Sequence, residues 1–192
     1  GSREFIKSYY PKMIHLVGSG AYRNNGTFVL GTAEGGLKIT MYFVNEMQID
    51  PDYLNHYYFK TMHHEFAHIL NQTKPYSTDF NAISGPDYVT DTWSDAWGGD
   101  ADAQQHGFIS EYASSEANED FVELMSIYVT NPASYWNNII KNAGEGAAKI
   151  SAKFEIVYNY MLNSWNIDLN ELRDEIQERQ AQIGTLDLET LN

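Results

Sequence analysis

Residues 64, 65 and 68 of this chain, within His63-His64-Glu65-Phe66-Ala67-His68, form the pattern H-E-x-x-H. On a helix the two histidines lie one turn apart on the same face, so two imidazoles reach one metal ion without bending the backbone. Glu65 stands about 100° further round the axis. From there it sits beside the metal and accepts a proton from bound water instead of ligating. The 192-residue chain contains no cysteine, which excludes disulfides, iron–sulfur clusters, thiol nucleophiles and thiolate metal sites. Any metal is therefore held by histidine and carboxylate, a set that suits a hydrolytic Zn2+.

A catalytic zinc has three protein ligands and one position open to water. One known solution places glycine three residues and histidine six residues after the second histidine, but those positions hold Asn71 and Lys74. Asp79, Asp87, Asp91 and Asp95 follow in a stretch with no helical period to present them rigidly. Better candidates stand in Asn118-Glu119-Asp120-Phe121-Val122-Glu123. Glu119 and Glu123 are four apart, on one face of an expected helix that Phe121, Leu124, Met125 and Tyr128 can pack against its neighbours. Opposite a helix with two histidines, such a pair reads as one metal ligand and one acceptor for an imidazole N–H. Glu116 and Glu123 are the competitors of Glu119 for the ligand position. His63 faces away from the pair, and His15, His56 and His106 read as surface or loop histidines, with a reservation for His106 because it is close to Tyr112 in sequence.

These residues need elements to position them. Residues 53–72 carry Tyr58, Met62, Ala67, Ile69 and Leu70 on roughly one helical stripe, with Pro75 just beyond. Before them, 13–17 reads as a strand, Asn24-Asn25-Gly26 as a turn, 27–30 as a short strand, and 37–44 as a half-buried strand in which Leu37, Ile39, Met41 and Phe43 alternate with polar neighbours. Residues 3–10 read as the end of a helix stopped by Pro11. From 75 to about 110 the chain has no clean period and reads as a long functional connection with short ordered pieces. There Trp93 and Trp97 either line a groove or anchor the loop, and anchoring is preferred. Helical patterns return at 116–130, 133–142, 147–163 and 169–183, with Asn131 and Asp168 as caps. Strands, one helix, a long loop and then helices give an α+β class: a small mixed sheet with the active-site helix in an N-terminal lobe (about 3–75) and a mainly helical C-terminal lobe (about 76–192) of one domain spanning 1–192.

The formal net charge of −14 argues against binding to nucleic-acid phosphates. No apolar run reaches the ~20 residues of a membrane-spanning helix. The start, Gly1-Ser2, reads as a cloning remnant.

With Asn118, Glu119 and Glu123 beside H-E-x-x-H, the sequence resembles the gluzincins, zinc metallopeptidases of zincin-like fold. The resemblance implies Glu119 as the third ligand and Glu123 as the acid that steadies a zinc-bound histidine. Tyr112, seven residues before Glu119, matches a tyrosine that some members use to hydrogen-bond the developing oxyanion. The stretch from Tyr58 to Leu70, Gly107-Phe-Ile-Ser-Glu-Tyr-Ala113 and Glu119-Asp-Phe-Val-Glu123 together resemble the substrate import-associated zinc metallohydrolases, lipoproteins of Gram-negative gut bacteria. Val122 departs from the alanine often found in them, a packing change away from the ligands. The expected function is thus a zinc-dependent hydrolase, a metallopeptidase acting on peptides or glycopeptides. Its expected place is the cell envelope, as an outer-membrane lipoprotein beside nutrient-import proteins. In this family type substrate lies along an exposed edge strand, for which 37–44 is the candidate. The alternative is a zinc-containing binding module of an import complex with little or no peptidase activity; an intact Glu65 argues against it.

Overall fold

The computed structural model describes residues 11–21 and 28–185; the expected helix end at 3–10 and the turn at 24–26 lie outside them. Three short strands, β1 (Met13–Leu16), β2 (Gly31–Glu34) and β3 (Lys38–Met41), form one mixed sheet in the order β1-β3-β2. β1 runs parallel to β3 with Ile14 opposite Ile39, and β2 runs antiparallel to it with Thr32 opposite Thr40. Gly35 and Gly36 make the β2–β3 turn at φ 61° and 69°, a conformation that strains residues with a side chain.

Two strand expectations are corrected. Residues 28–30 are not a strand, and the pairing begins one residue later, at Gly31. The strand expected over 37–44 stops at Met41 because Phe43 turns left-handed at φ 59° and leads into a 3-10 turn over Val44–Glu46. The period-2 pattern therefore outruns the strand that it marks.

Helix α1 (Pro51–Leu54) opens on Asp50, whose side chain accepts a hydrogen bond from the Tyr53 N–H at 2.9 Å, with Pro51 in the first turn. The chain passes through a π-helical turn, Asn55–Phe59, directly into α2 (Lys60–Thr73). Such turns are frequent at functional sites. The long connection contains α3 (Asp79–Ser84), α4 (Trp93–Ala96) and α5 (Asp100–Gln105). Then come α6 (Ala117–Thr130), α7 (Ala133–Asn142), α8 (Ala147–Trp165) and α9 (Leu169–Gln182), within two residues of the expected bounds. Asp168 caps α9 by accepting from the Asn170 and Glu171 N–H groups. Asn131 does not cap α7; its amide donates back to the Ile127 carbonyl of α6 at 2.9 Å.

Helix α2 lies between two apolar clusters. Ile69 joins Ile39, Met41, Leu54 and Tyr58 against the sheet. Ala67 and Leu70 join the larger cluster built by α3 and α6 to α9 around Phe80, Phe121, Leu124 and Met125. Every residue of α6 from Asp120 onward is buried, as expected of a helix enclosed on all sides. The fold is α+β, mainly helical with a small mixed sheet. No described helix is long and apolar enough to cross a membrane.

Candidate metal centre

The packing of α2 against α6 brings the sequence candidates together. His64 and His68, one turn apart, have ring centroids 4.9 Å apart. The Glu119 carboxylate reaches both from α6: its Oε2 lies 2.9 Å from His64 Nε2 and 3.3 Å from His68 Nε2. One ligand atom from each of the three lies within 4.8 Å of the others, and this is the one such cluster of possible metal ligands among the described residues. Glu116 is exposed at the start of α6 and belongs to no such cluster.

Glu123, one turn after Glu119 and fully buried, accepts from His64 Nδ1 at 2.9 Å. An ionised carboxylate only accepts hydrogen bonds, so Nδ1 carries a proton, and Nε2, facing Glu119 Oε2, carries one as well, in the place a metal ion would take. Burial opposes charge on His64, but the bonds to Glu119 and Glu123 outweigh it and lift its pKa to about 9. Burial likewise pushes Glu119 and Glu123 up, and their partners reverse it. The two histidines hold Glu119 well below the usual carboxylate range. The Lys60 charge and the His64 bond bring Glu123 down to about 2. A buried arrangement that favours positive charge between two imidazoles and a carboxylate fits a divalent ion. The ligand types fit zinc, and Nε2 of His64 and His68 with an oxygen of Glu119 are the atoms that would hold it.

Glu65 is 6% exposed and borders the same cleft. Burial raises its pKa against the opposing pull of His64 and His68. A carboxylate of raised proton affinity beside a metal position is suited to accept a proton from bound water. Tyr112 begins a 3-10 turn, Tyr112–Ser114. Its ring is tilted 5.9 Å from that of His64, and it borders the same cleft as Glu119. Burial, then the Glu119 charge, pushes the phenol pKa far up, so it stays a donor.

The cleft, about 450 Å³, is lined by His64, Glu65, His68, Tyr112, Glu116 and Glu119 together with Gly31, Thr32 and Ala33 of β2, Asn71 and Gln72 of α2, and Asn118. β2, not the 37–44 strand, borders the histidines; β3 is the middle strand and has no free edge. The expectation of 37–44 as the substrate strand is thus corrected. The Tyr42 N–H bonds the Leu30 carbonyl, and the antiparallel alternation from there turns the backbone groups of Gly31 and Ala33 to the outer edge. Gln72 holds this hairpin on α2, accepting from the Gly36 N–H at 2.6 Å and donating to the Ala33 carbonyl at 3.4 Å. The sequence reading missed Gly31 and Gln72. The helical spacing of His64, His68 and Gln72 was a usable signal for the second.

The other candidates stand apart. His63 bonds the Phe59 carbonyl at 2.7 Å. His106 is exposed, bonds the Asp102 carbonyl at 2.9 Å and packs on Trp97. Trp97 donates to Ser114 Oγ at 2.7 Å and packs on the large core, while Trp93 meets the Tyr112 ring edge-on at 5.0 Å. Neither tryptophan lines the cleft. Of the loop aspartates, Asp87 pairs with Lys149 at 2.8 Å and Asp79 accepts from Ser77.

Comparison with known proteins gives the family. No relative was found among curated proteins. The crystal structure of a "putative zinc-binding metallo-peptidase" from Bacteroides caccae is similar at 40% identity and a TM-score of 0.80, covering 100% of this chain and 73% of that one. Residues 1–170 match the model of the family described as "Putative zinc-binding metallo-peptidase", and the chain belongs to this family, whose metal is Zn2+.

Proposed function

We propose that the chain is a zinc-dependent peptidase of the gluzincin type, with His64, His68 and Glu119 as ligands, Glu65 as general base and Tyr112 as oxyanion donor. The observation that carries the reading is the convergence of the three ligand atoms within 4.8 Å on one side of a cleft that Glu65 also borders. Bound there, Zn2+ acidifies a water towards a pKa of ~7 and polarises the substrate carbonyl.

The chain's own groups do the rest. Substrate adds as a strand to the outer edge of β2, where Gly31 and Ala33 offer backbone donors and acceptors. Glu65 takes a proton from the attacking water as the new C–O bond forms. When the C–N bond breaks, the same carboxyl delivers that proton to the leaving amine. The Tyr112 hydroxyl, which stays protonated, donates to the oxyanion on the former carbonyl carbon. Glu123 keeps the His64 ring oriented through Nδ1.

The test is Glu65→Gln. Wild-type protein should carry about one zinc per chain and cleave members of a library of peptides and glycopeptides. The variant should keep the metal and lose cleavage. Zinc-loaded wild type that cleaves nothing would favour the binding-module alternative. Loss of zinc in the variant would make Glu65 a ligand and refute its role as base.

A further inference from the structure

We infer that Ser110 and Lys60 are positioning residues of this site: together they lock the Glu123 carboxylate against His64, and Ser110 ties that carboxylate to the turn that presents Tyr112. The inference rests on the proposed metal centre, and it concerns two residues outside the H-E-x-x-H and Glu119 motifs.

Glu123 has one oxygen for His64 and one for this pair. Oε1 takes the His64 Nδ1 bond at 2.9 Å, while Oε2 accepts from Ser110 Oγ at 2.8 Å and from Lys60 Nζ at 2.9 Å. A carboxylate held at a single oxygen swings about its terminal bond; held at both, it fixes the plane of the imidazole that it orients. Lys60 lies one helical turn before His64 on α2, so two groups of the same helix face grip one acid on α6. Its charge, balanced by Glu123, keeps that acid an acceptor inside the protein.

Ser110 is 4% exposed, and its oxygen is engaged twice. While donating to Glu123 it accepts from the Ala113 N–H at 3.1 Å. Ala113 follows Tyr112 directly, inside the 3-10 turn. One hydroxyl thus spans the carboxylate behind the ligand His64 and the backbone of the oxyanion donor. A change at Ser110 is felt at both, and a change at Lys60 chiefly at His64.

The test compares Ser110→Ala and Lys60→Met with the hydroxyl- and charge-preserving variants Ser110→Thr and Lys60→Arg. Competition with a chelator should show the zinc Kd rising roughly tenfold in S110A and K60M, the scale of such losses behind a metal ligand. S110T and K60R should restore it. With saturating zinc, S110A should lower kcat about tenfold with KM little changed, and combined with Tyr112→Phe it should cost less than the product of the two separate losses. Lys60 has a side chain 30% exposed, so K60M decides the question if S110A fails to fold. Unchanged zinc Kd in folded S110A and K60M, whatever their melting temperatures, would reduce both residues to packing and overturn the inference. Multiplicative losses with Tyr112→Phe would overturn the tie to the tyrosine turn. If the wild type cleaves no substrate, the peptidase reading fails, and the zinc Kd values still decide this one.

Discussion

On the proposed mechanism, Gly31→Ala should cripple catalysis without touching a proposed metal ligand. A Cβ built on Gly31 would lie 2.7 Å from Thr61 Cγ2, 2.8 Å from Glu65 Cγ and 3.0 Å from Glu65 Oε1, where ordinary contact begins at 3.4 Å. The shortfall at Glu65 Cγ is about 0.6 Å, on the steep repulsive side of the van der Waals well. The backbone of β2 is tied to β3 opposite Met41, and α2 is packed on both sides. The soft partner is therefore the Glu65 side chain. Productive proton transfer needs donor and acceptor within ~2.6–3.2 Å, a window as wide as the displacement. A kcat loss of roughly 10- to 100-fold follows, because misplacement on the order of 1 Å costs about 10²-fold. Overpacking should also lower stability by about 1–3 kcal/mol. Gly85→Ala, where the new Cβ meets nothing within 4 Å, is the control. Steady-state kinetics at saturating zinc, metal content and denaturant unfolding together read the outcome. A G31A enzyme with kcat within about threefold of wild type would refute the placement of Glu65 against β2, and loss of zinc in parallel with activity would refute its separation from the ligand set.

Three further outcomes follow from the same geometry. Glu119→Ala should weaken zinc binding steeply while the exposed Glu116→Ala leaves it intact, as read by chelator competition; the reverse order would move the third ligand. In protein stripped of metal, His64 has a pKa of about 9 against an ordinary 6.5. A raised histidine stabilises fully below pH 6.5 and loses that contribution as pH climbs through 9. The melting temperature of stripped protein should therefore fall over this range, by an equivalent on the order of 3 kcal/mol, whereas zinc-loaded protein is spared because zinc displaces the proton. A flat profile for the stripped protein would contradict the His64–Glu119–Glu123 arrangement. Lys153→Met leaves Asp120 buried without its partner and should cost about 3–5 kcal/mol in urea unfolding, most of it regained when Asp120→Leu is added; equal losses in single and double variants would show that the pair is not coupled.

What the sequence revealed about the site depended on helical spacing, which is local. His64, Glu65 and His68 sit within one turn, and Glu119 and Glu123 within another, so each group could be read from its own segment. That the two groups meet depends on α2 packing on α6, which the spacing implied only through chemistry: two imidazoles need a carboxylate. The helices after residue 116 were legible because their apolar periods are long and Asp168 is a strong cap. The sheet was not. Strands of four residues give too few alternations to fix an end, and nothing local in the 37–44 pattern announces that Phe43 will turn left-handed. Edge or middle is a property of strand order, which no single segment carries, so the substrate strand was sought in β3 when β2 borders the histidines. Ser110 and Lys60 escaped for a similar reason, since a serine and a lysine acquire meaning only when Glu123 lies between them.

The buried acids of α6 show how the fold keeps these constraints compatible. Asp120, Glu123, Ser126 and Thr130 are all buried on this helix, and apolar residues there would avoid the cost of burying charge. The acids divide by direction. Glu119 and Glu123, one turn apart, face α2 and meet His64, His68 and Lys60. Asp120, about 100° round the axis, faces α8, where Lys153 Nζ lies 2.5 Å from Oδ2 and the Tyr88 hydroxyl donates to the same oxygen. Burial lifts Asp120 to about 6 against the pull of Lys153. The helix is thus pinned by ionic contacts on two sides, and an ion pair, unlike an apolar contact, tolerates little rotation about the helix axis. A small turn of α6 that would slide freely among leucines breaks the Asp120 pair and carries Glu119 away from the histidines together. The stability given up by burying these charges is exchanged for a fixed angular setting of the helix that presents Glu119, the proposed third ligand, which is why the Lys153→Met/Asp120→Leu protein should fold well yet bind zinc less tightly than wild type.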